Sequence, residues 1–128
     1  MSPDRQQPAS PTIQVACLCA AWCRTCDSYR PTLDTVAAEF SARGLMRPPR
    51  WIDIEDEAAL VDDVDIETCP TLLIYDAQRV LFAGPLTPQP ETLRRLLANV
   101  TRPGTGATPV AAEIGALVAR LRRAADGP

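Results

Sequence analysis

From Thr12 to Ala21 the chain reads TIQVACLCAA, apolar at odd and even positions alike. A strand with one wet face alternates, so a run apolar on both faces predicts a strand covered on both sides, at the centre of a sheet. Cys17 and Cys19, two apart on it, then point to the same face and read as buried, inert core thiols. Beyond this run the period changes. Tyr29, Leu33, Val36, Ala37 and Phe40 recur at helical spacing and predict a helix that starts close to Cys23. It carries Pro31, and with it an expected kink, and stops where Gly44 offers a left-handed cap.

The segment RWIDIE, residues 50–55, predicts a second strand, and DEAALVDDVDIE after it a short helix with an acidic border. CPTLLIYDAQRVLFAG, residues 69–84, reads as two strands joined by a tight turn from Asp76 to Arg79. Leu93, Leu96, Leu97 and Val100 mark an amphipathic helix opened by Thr87-Pro88 and Glu91. A strand-helix-strand unit requires a right-handed crossover and a parallel pair, and the hairpin adds antiparallel strands. The expected class is therefore α/β, with a mixed central sheet flanked by helices over residues 12–100.

Two flanking pieces complete the pattern. Residues 1–11 set Pro3, Pro8 and Pro11 among polar positions, which predicts a flexible tail. TRPGTGATP, residues 101–109, is a linker by composition. Val110, Ile114, Leu117, Val118 and Leu121 then predict a C-terminal amphipathic helix over 110–125, with Arg120, Arg122 and Arg123 at the end where cations suit the helix dipole. The expectation is that it packs on its own domain; a dimer or partner contact is the alternative.

A length of 128 residues suits one domain with a real core, and 23% charged against 46% hydrophobic residues is an ordinary balance. The net charge of -3 gives no basic footprint for nucleic acid. No apolar run is long enough to cross a bilayer, and the first residues lack the tripartite form of a secretory signal, so a cytoplasmic protein without membrane partners is expected.

Five cysteines and no histidine then focus attention on WCRTC, residues 22–26. The odd count forbids a fully paired framework within one chain. Three chemistries use two cysteines at this spacing: a metal knuckle, a structural disulfide and a redox pair. A zinc knuckle needs two more ligands, which would have to come from Cys17, Cys19 or Cys69. A redox pair needs one exposed, ionised thiol and a second close behind it. With the helix starting near Cys23, its unpaired N–H groups and dipole favour a thiolate there, and Arg24 pushes the same way. Cys26, one turn further in, reaches Cys23 but is shielded. The spacing thus assigns Cys23 as nucleophile and Cys26 as resolving thiol.

WCRTC between a strand and a helix, Pro31 in that helix, CPT before a hairpin and Gly84 after it resemble the thioredoxin-like superfamily over roughly residues 12–100. The resemblance implies a thiol-disulfide oxidoreductase acting on protein disulfides, re-reduced or re-oxidised by a separate electron donor or acceptor, with no bound cofactor and no metal. It implies that Pro70 is the family's cis-proline and that Trp22, Arg24, Thr25, Cys69, Pro70 and Thr71 form the substrate-binding surface around Cys23. It also implies a third thiol, Cys69, near the Cys23 sulfur.

Departures from the family carry expectations of their own. The strand and helix that open thioredoxin have no counterpart before Thr12, which leaves a minimal core with the C-terminal helix to cover the bare surface. Cys17 stands where the family buries an aspartate that accepts a proton for the resolving cysteine, and Trp51 is nearest to the register of its partner lysine. Proton transfer from Cys26 then falls to water or another carboxylate. Asp27, where the family often carries a basic residue, opposes Arg24, so a potential of roughly -270 to -180 mV brackets the pair. Two other classes of function stay open: a thioredoxin-like binding or adaptor module using the C-terminal helix, and a metal or iron-sulfur carrier using Cys23, Cys26 and Cys69. Eight carboxylates and no basic residue between Asp53 and Glu67 form either a solvated face or the border of a groove that favours basic partners.

Overall fold

The computed structural model describes residues 13–20, 23–61, 70–85, 89–102 and 104–126. The tail expected over 1–11, Trp22 and Cys69 lie outside the described residues. In chain order the elements are β1 (Gln14–Cys19), α1 (Arg24–Ala42), β2 (Arg50–Asp53), α2 (Ala58–Val61), β3 (Thr71–Tyr75), β4 (Val80–Pro85), α3 (Pro90–Val100) and α4 (Ala112–Asp126).

The strand that the two-faced apolar run predicts is central. The sheet order is β2-β1-β3-β4, with β1 parallel to β2 and antiparallel to β3. Val15, Cys17 and Cys19 face one core together with Leu72 and Ile74 of β3, under Tyr29, Leu33, Val36, Ala37 and Phe40 of α1 and Leu93 and Leu97 of α3. Ala16 and Leu18 face the other with Leu73, Tyr75 and Ile52, under Leu117, Val118 and Leu121 of α4. The alternation of a strand thus feeds two separate cores, which is why neither parity could be polar.

Helix α1 runs through Pro31 and ends as its glycine predicts. Gly44 adopts φ 74, its N–H donates to the Ser41 carbonyl at 2.9 Å, and the Leu45 N–H donates to that of Phe40 at 3.0 Å, the paired bonds of a Schellman cap. Glu39 of α1 receives a bidentate pair from Arg94 of α3, at 3.1 and 2.8 Å, along the exposed edge of the first core.

The hairpin turn falls on Asp76 to Arg79, closed by the Asp76 N–H on the Arg79 carbonyl at 2.9 Å. Helix α3 starts later than the sequence suggests. Its N-cap is Gln89 and Pro90 occupies the first turn, so the opening residue is Pro90 and not Thr87-Pro88. The reason is that proline suits a first-turn position, where its missing N–H costs no hydrogen bond.

The segment before α4 is tied to β4: the Thr108 N–H donates to the Val80 carbonyl at 2.8 Å and its hydroxyl to that of Leu81 at 2.9 Å. Arg122 of α4 donates to the carbonyls of Asp76 and Arg79 at 2.9 and 3.3 Å. Leu117, Val118 and Leu121 of α4 are buried on its own sheet, with Ile114 half-buried beside them. Among the described residues no helix is long and apolar enough to cross a membrane.

Candidate active site

Cys23 is the N-cap of α1, with extended backbone at φ -92 and ψ 107. Its N–H turns back to the Ala20 carbonyl at 3.0 Å, and the Cys26 N–H donates to the Cys23 carbonyl at 3.2 Å. The two cysteines thus flank the first turn of the helix. Arg24 and Thr25 between them are exposed.

The expectation of an exposed nucleophile needs correction. Cys23 is 8% exposed, barely more than Cys26 at 5%. The Cys23 side chain packs in the core that also holds Cys19, Cys26 and Tyr29. The two thiols therefore differ in position relative to the helix end more than in access to solvent.

Thr71 opens β3 opposite Leu18, where the antiparallel ladder ends, so the buried Pro70 sits at the end of β1 from which the cysteine helix departs. Thr71 is half-buried. The described part of the expected substrate surface, Arg24, Thr25, Pro70 and Thr71, thus gathers at one end of the sheet.

Beneath the pair the thiols continue inward. Cys26 packs in one core with Cys19 and Cys23, and the Cys17 and Cys19 sulfurs are in hydrogen-bond contact at 3.7 Å. Burial, then the Cys19 and Cys23 thiols beside it, push the Cys26 thiol well above its ordinary range. The bond with Cys17, and then burial, do the same to Cys19. Tyr29, fully buried, has no hydrogen-bond partner for its hydroxyl among the described residues, and burial followed by the nearby Cys17 and Cys19 pushes its pKa up. Cys17, Cys19 and Cys26 are free thiols. Among the described residues no group of three or more histidine, cysteine, aspartate or glutamate side chains is arranged to hold a metal ion.

A cavity of about 390 Å³ opens beside them, lined by Cys19, Cys26, Asp27, Arg30, Trp51, Asp53, Asp56 and Glu57. Trp51 pairs directly with Cys17 across β1 and β2, which bears out the sequence register. Its indole N–H donates to Asp34 at 3.1 Å and the Arg30 guanidinium lies 4.4 Å from its ring centre, so an aromatic wall lines this side of the cavity. Sequence reasoning missed the part that Cys19 plays in this cavity. Its same-face pairing with Cys17 was visible; its neighbour across the strand-to-helix turn depends on how tightly that turn closes.

A family model described as thioredoxin matches residues 8–95. No curated protein sequence matches the chain closely enough to count as a relative. Among solved structures, the germline-specific thioredoxin Deadhead of Drosophila melanogaster is 20% identical with a TM-score of 0.57, covering 68% of this chain and 79% of its own. Thioredoxin of Trypanosoma brucei brucei is 21% identical at 0.58, covering 71% and 76%. Thioredoxin of Malassezia sympodialis is 14% identical at 0.60, covering 73% and 78%. At these identities the likeness is one of fold.

Proposed function

Because the chain belongs to the thioredoxin family, whose redox role it shares, we propose that it is a thiol-disulfide oxidoreductase that exchanges disulfides with protein substrates through Cys23 and Cys26. The observation that carries this reading is the N-cap position of Cys23 with Cys26 in the first turn of α1, both packed in the same core. An anion at Cys23 is favoured by the helix N–H groups and dipole, while Cys26, its pKa held high, stays a protonated thiol until it is needed.

In the forward direction the Cys23 thiolate attacks one sulfur of a substrate disulfide. That S–S bond breaks, the other substrate sulfur leaves as a thiolate, and a mixed disulfide remains. Cys26 then gives its proton to water or a carboxylate of the adjoining cavity and attacks the Cys23 sulfur. The second substrate thiolate leaves, and Cys23–Cys26 is the disulfide product. The substrate gains two electrons, and an external dithiol returns the pair to the reduced state.

Arg24, Thr25, Pro70 and Thr71, with Trp22 and Cys69 beside them in sequence, form the docking surface in this reading. A cytoplasmic setting belongs to the same proposal, since a reducing compartment supplies the dithiol. The adaptor reading loses most of its named surface, because Leu117, Val118 and Leu121 of α4 are covered by the sheet. The carrier reading requires Cys69, which lies outside the described residues.

Insulin reduction by dithiothreitol is the test. The protein should accelerate precipitation, Cys23→Ser should remove the acceleration entirely, and Cys26→Ser should accumulate a mixed disulfide with its substrate. Equal rates with and without the protein would end the proposal.

A further inference from the structure

Cys26 has two sulfur neighbours, not one. Cys23 lies on the side of the helix end, and Cys19 lies on the side of the strand, packed in the same core as the Cys26 thiol and on the wall of the same cavity. Cys19 is 8% exposed and lines the cavity together with Cys26. Cys17, the other thiol at hand, is a poor partner for Cys19. Residues i and i+2 of an extended strand stand about 6.6–6.8 Å apart at Cα, at the far end of the span a disulfide tolerates, and their side chains run side by side. Cys19 and Cys26 instead come from a strand and a helix that face each other.

We propose that Cys19 is a third redox thiol of this protein, competing with Cys23 for Cys26, so that the Cys23–Cys26 disulfide can be exchanged inward to a Cys19–Cys26 disulfide. The proposal rests on the reading that Cys23 and Cys26 take up a disulfide from a protein substrate, which supplies the oxidising equivalent. In the exchange Cys19 gives its proton to water or a carboxylate in the cavity, and its sulfur attacks that of Cys26. The Cys23–Cys26 bond breaks and its electron pair leaves on Cys23 as a thiolate. One disulfide is replaced by another, and no further oxidant is consumed.

The leaving group favours the step, because an anion on Cys23 sits at the helix N-terminus and a better-stabilised thiolate departs faster. The attacking group slows it, because the bond with Cys17 and burial hold Cys19 protonated. The inward disulfide therefore builds up when the pair is left oxidised without a reductant. Its consequence is a chain whose nucleophile is free while its resolving thiol is engaged. Any mixed disulfide then formed at Cys23 persists, and the enzyme becomes a covalent holder of its partner.

The test uses the full chain oxidised with glutathione disulfide, quenched in acid, alkylated and mapped as peptides without reduction. In Cys23→Ser four of the five cysteines remain, and serine is itself a good N-cap, so the fold is kept. The expected result is a loss of two free thiols and a Cys19–Cys26 cross-link. In the parent chain, cleavage after Arg24 separates Cys23 from Cys26, and fragment spectra show which of Cys19 and Cys23 carries the alkyl tag. A fraction tagged on Cys23 is expected, and it should vanish in Cys19→Ala. Recovery of Cys26 in Cys23→Ser as a free thiol, as a glutathione adduct, or bonded to Cys17 or Cys69 overturns the proposal. That outcome alongside normal insulin reduction leaves the enzyme reading intact. A Cys19–Cys26 cross-link in a protein that does not reduce insulin would instead sink the enzyme reading alone.

Discussion

Asp76 shows how much one side chain can organise in this fold. It is 7% exposed at the hairpin turn, and its carboxylate accepts the N–H groups of Gln78 and Arg79 at 2.9 and 2.6 Å and two guanidinium bonds from Arg79 at 3.1 and 2.8 Å. Burial alone would raise its pKa; the Gln78 N–H, the Arg79 side chain and the Arg79 N–H overcome it and hold the carboxyl below the usual range. A depressed folded value means stability that is present above the unfolded carboxylate pKa of about 3.9 and lost as pH falls through the folded one. Asp76→Asn should therefore cost about 1–2 kcal/mol at neutral pH, the lower part of the range for charged hydrogen bonds because Arg79 is partly exposed. Urea unfolding at pH 7 and at pH 3 checks it: the gap between parent and variant should shrink in acid. The turn itself is legible in the sequence, since Asp and a polar pair between two apolar runs name it. The arrival of Arg122 from α4 onto the carbonyls of the same turn is not, because it depends on where a distant helix packs.

At the scale of elements, the strands and helices were readable wherever one periodicity dominated. The two-faced run of β1, the stripe of α1 and its Gly44 cap all stand as the pattern predicts, and so does the thioredoxin-like mixed sheet they build. Two features escaped. The start of α3 falls at Pro90, and the sequence carries a second proline two residues earlier that propensity alone does not distinguish from it. The other is the covering of Cys23, since nothing in the spacing of WCRTC encodes how closely a helix end packs onto the core. The C-terminal helix yields a quantitative expectation. Leu117 of α4 is fully buried against Ala16, Leu18, Ile52 and Leu73. Leu117→Ala removes that side chain from a closed core and should destabilise the protein by about 2–5 kcal/mol, read as a drop in the urea midpoint. A change below about 0.5 kcal/mol would mean that α4 does not hold the sheet's second face, and the surface an adaptor needs would be open after all.

For the whole molecule, charge is the property that reaches beyond any single element. The net charge of -3 is modest, yet carboxylates concentrate around the cavity beside Cys26. Glu57 there is paired with Arg50 at 3.2 Å, and the Asp53 carboxylate accepts the N–H groups of Glu55 and Asp56 at 2.8 and 3.1 Å, which neutralises Glu57 but leaves Asp53 charged. Asp27, Asp53 and Asp56 against Arg30 make the rim negative. The acidic run continues in sequence to Glu67, just before Cys69-Pro70, although residues 62–69 lie outside the described residues. A negative field at the mouth of a site raises the encounter rate of cationic partners and is screened once the Debye length falls from roughly 30 Å at 0.01 M salt to about 3 Å at 1 M. A lysine-rich disulfide peptide should therefore be reduced several-fold more slowly at the higher ionic strength, while a neutral peptide of the same length should change little. Because both peptides meet the same thiols, a loss of intrinsic reactivity would slow them equally, and only steering separates them. Identical salt profiles for the two would reduce the acidic rim to a solvated face with no say in which substrate arrives.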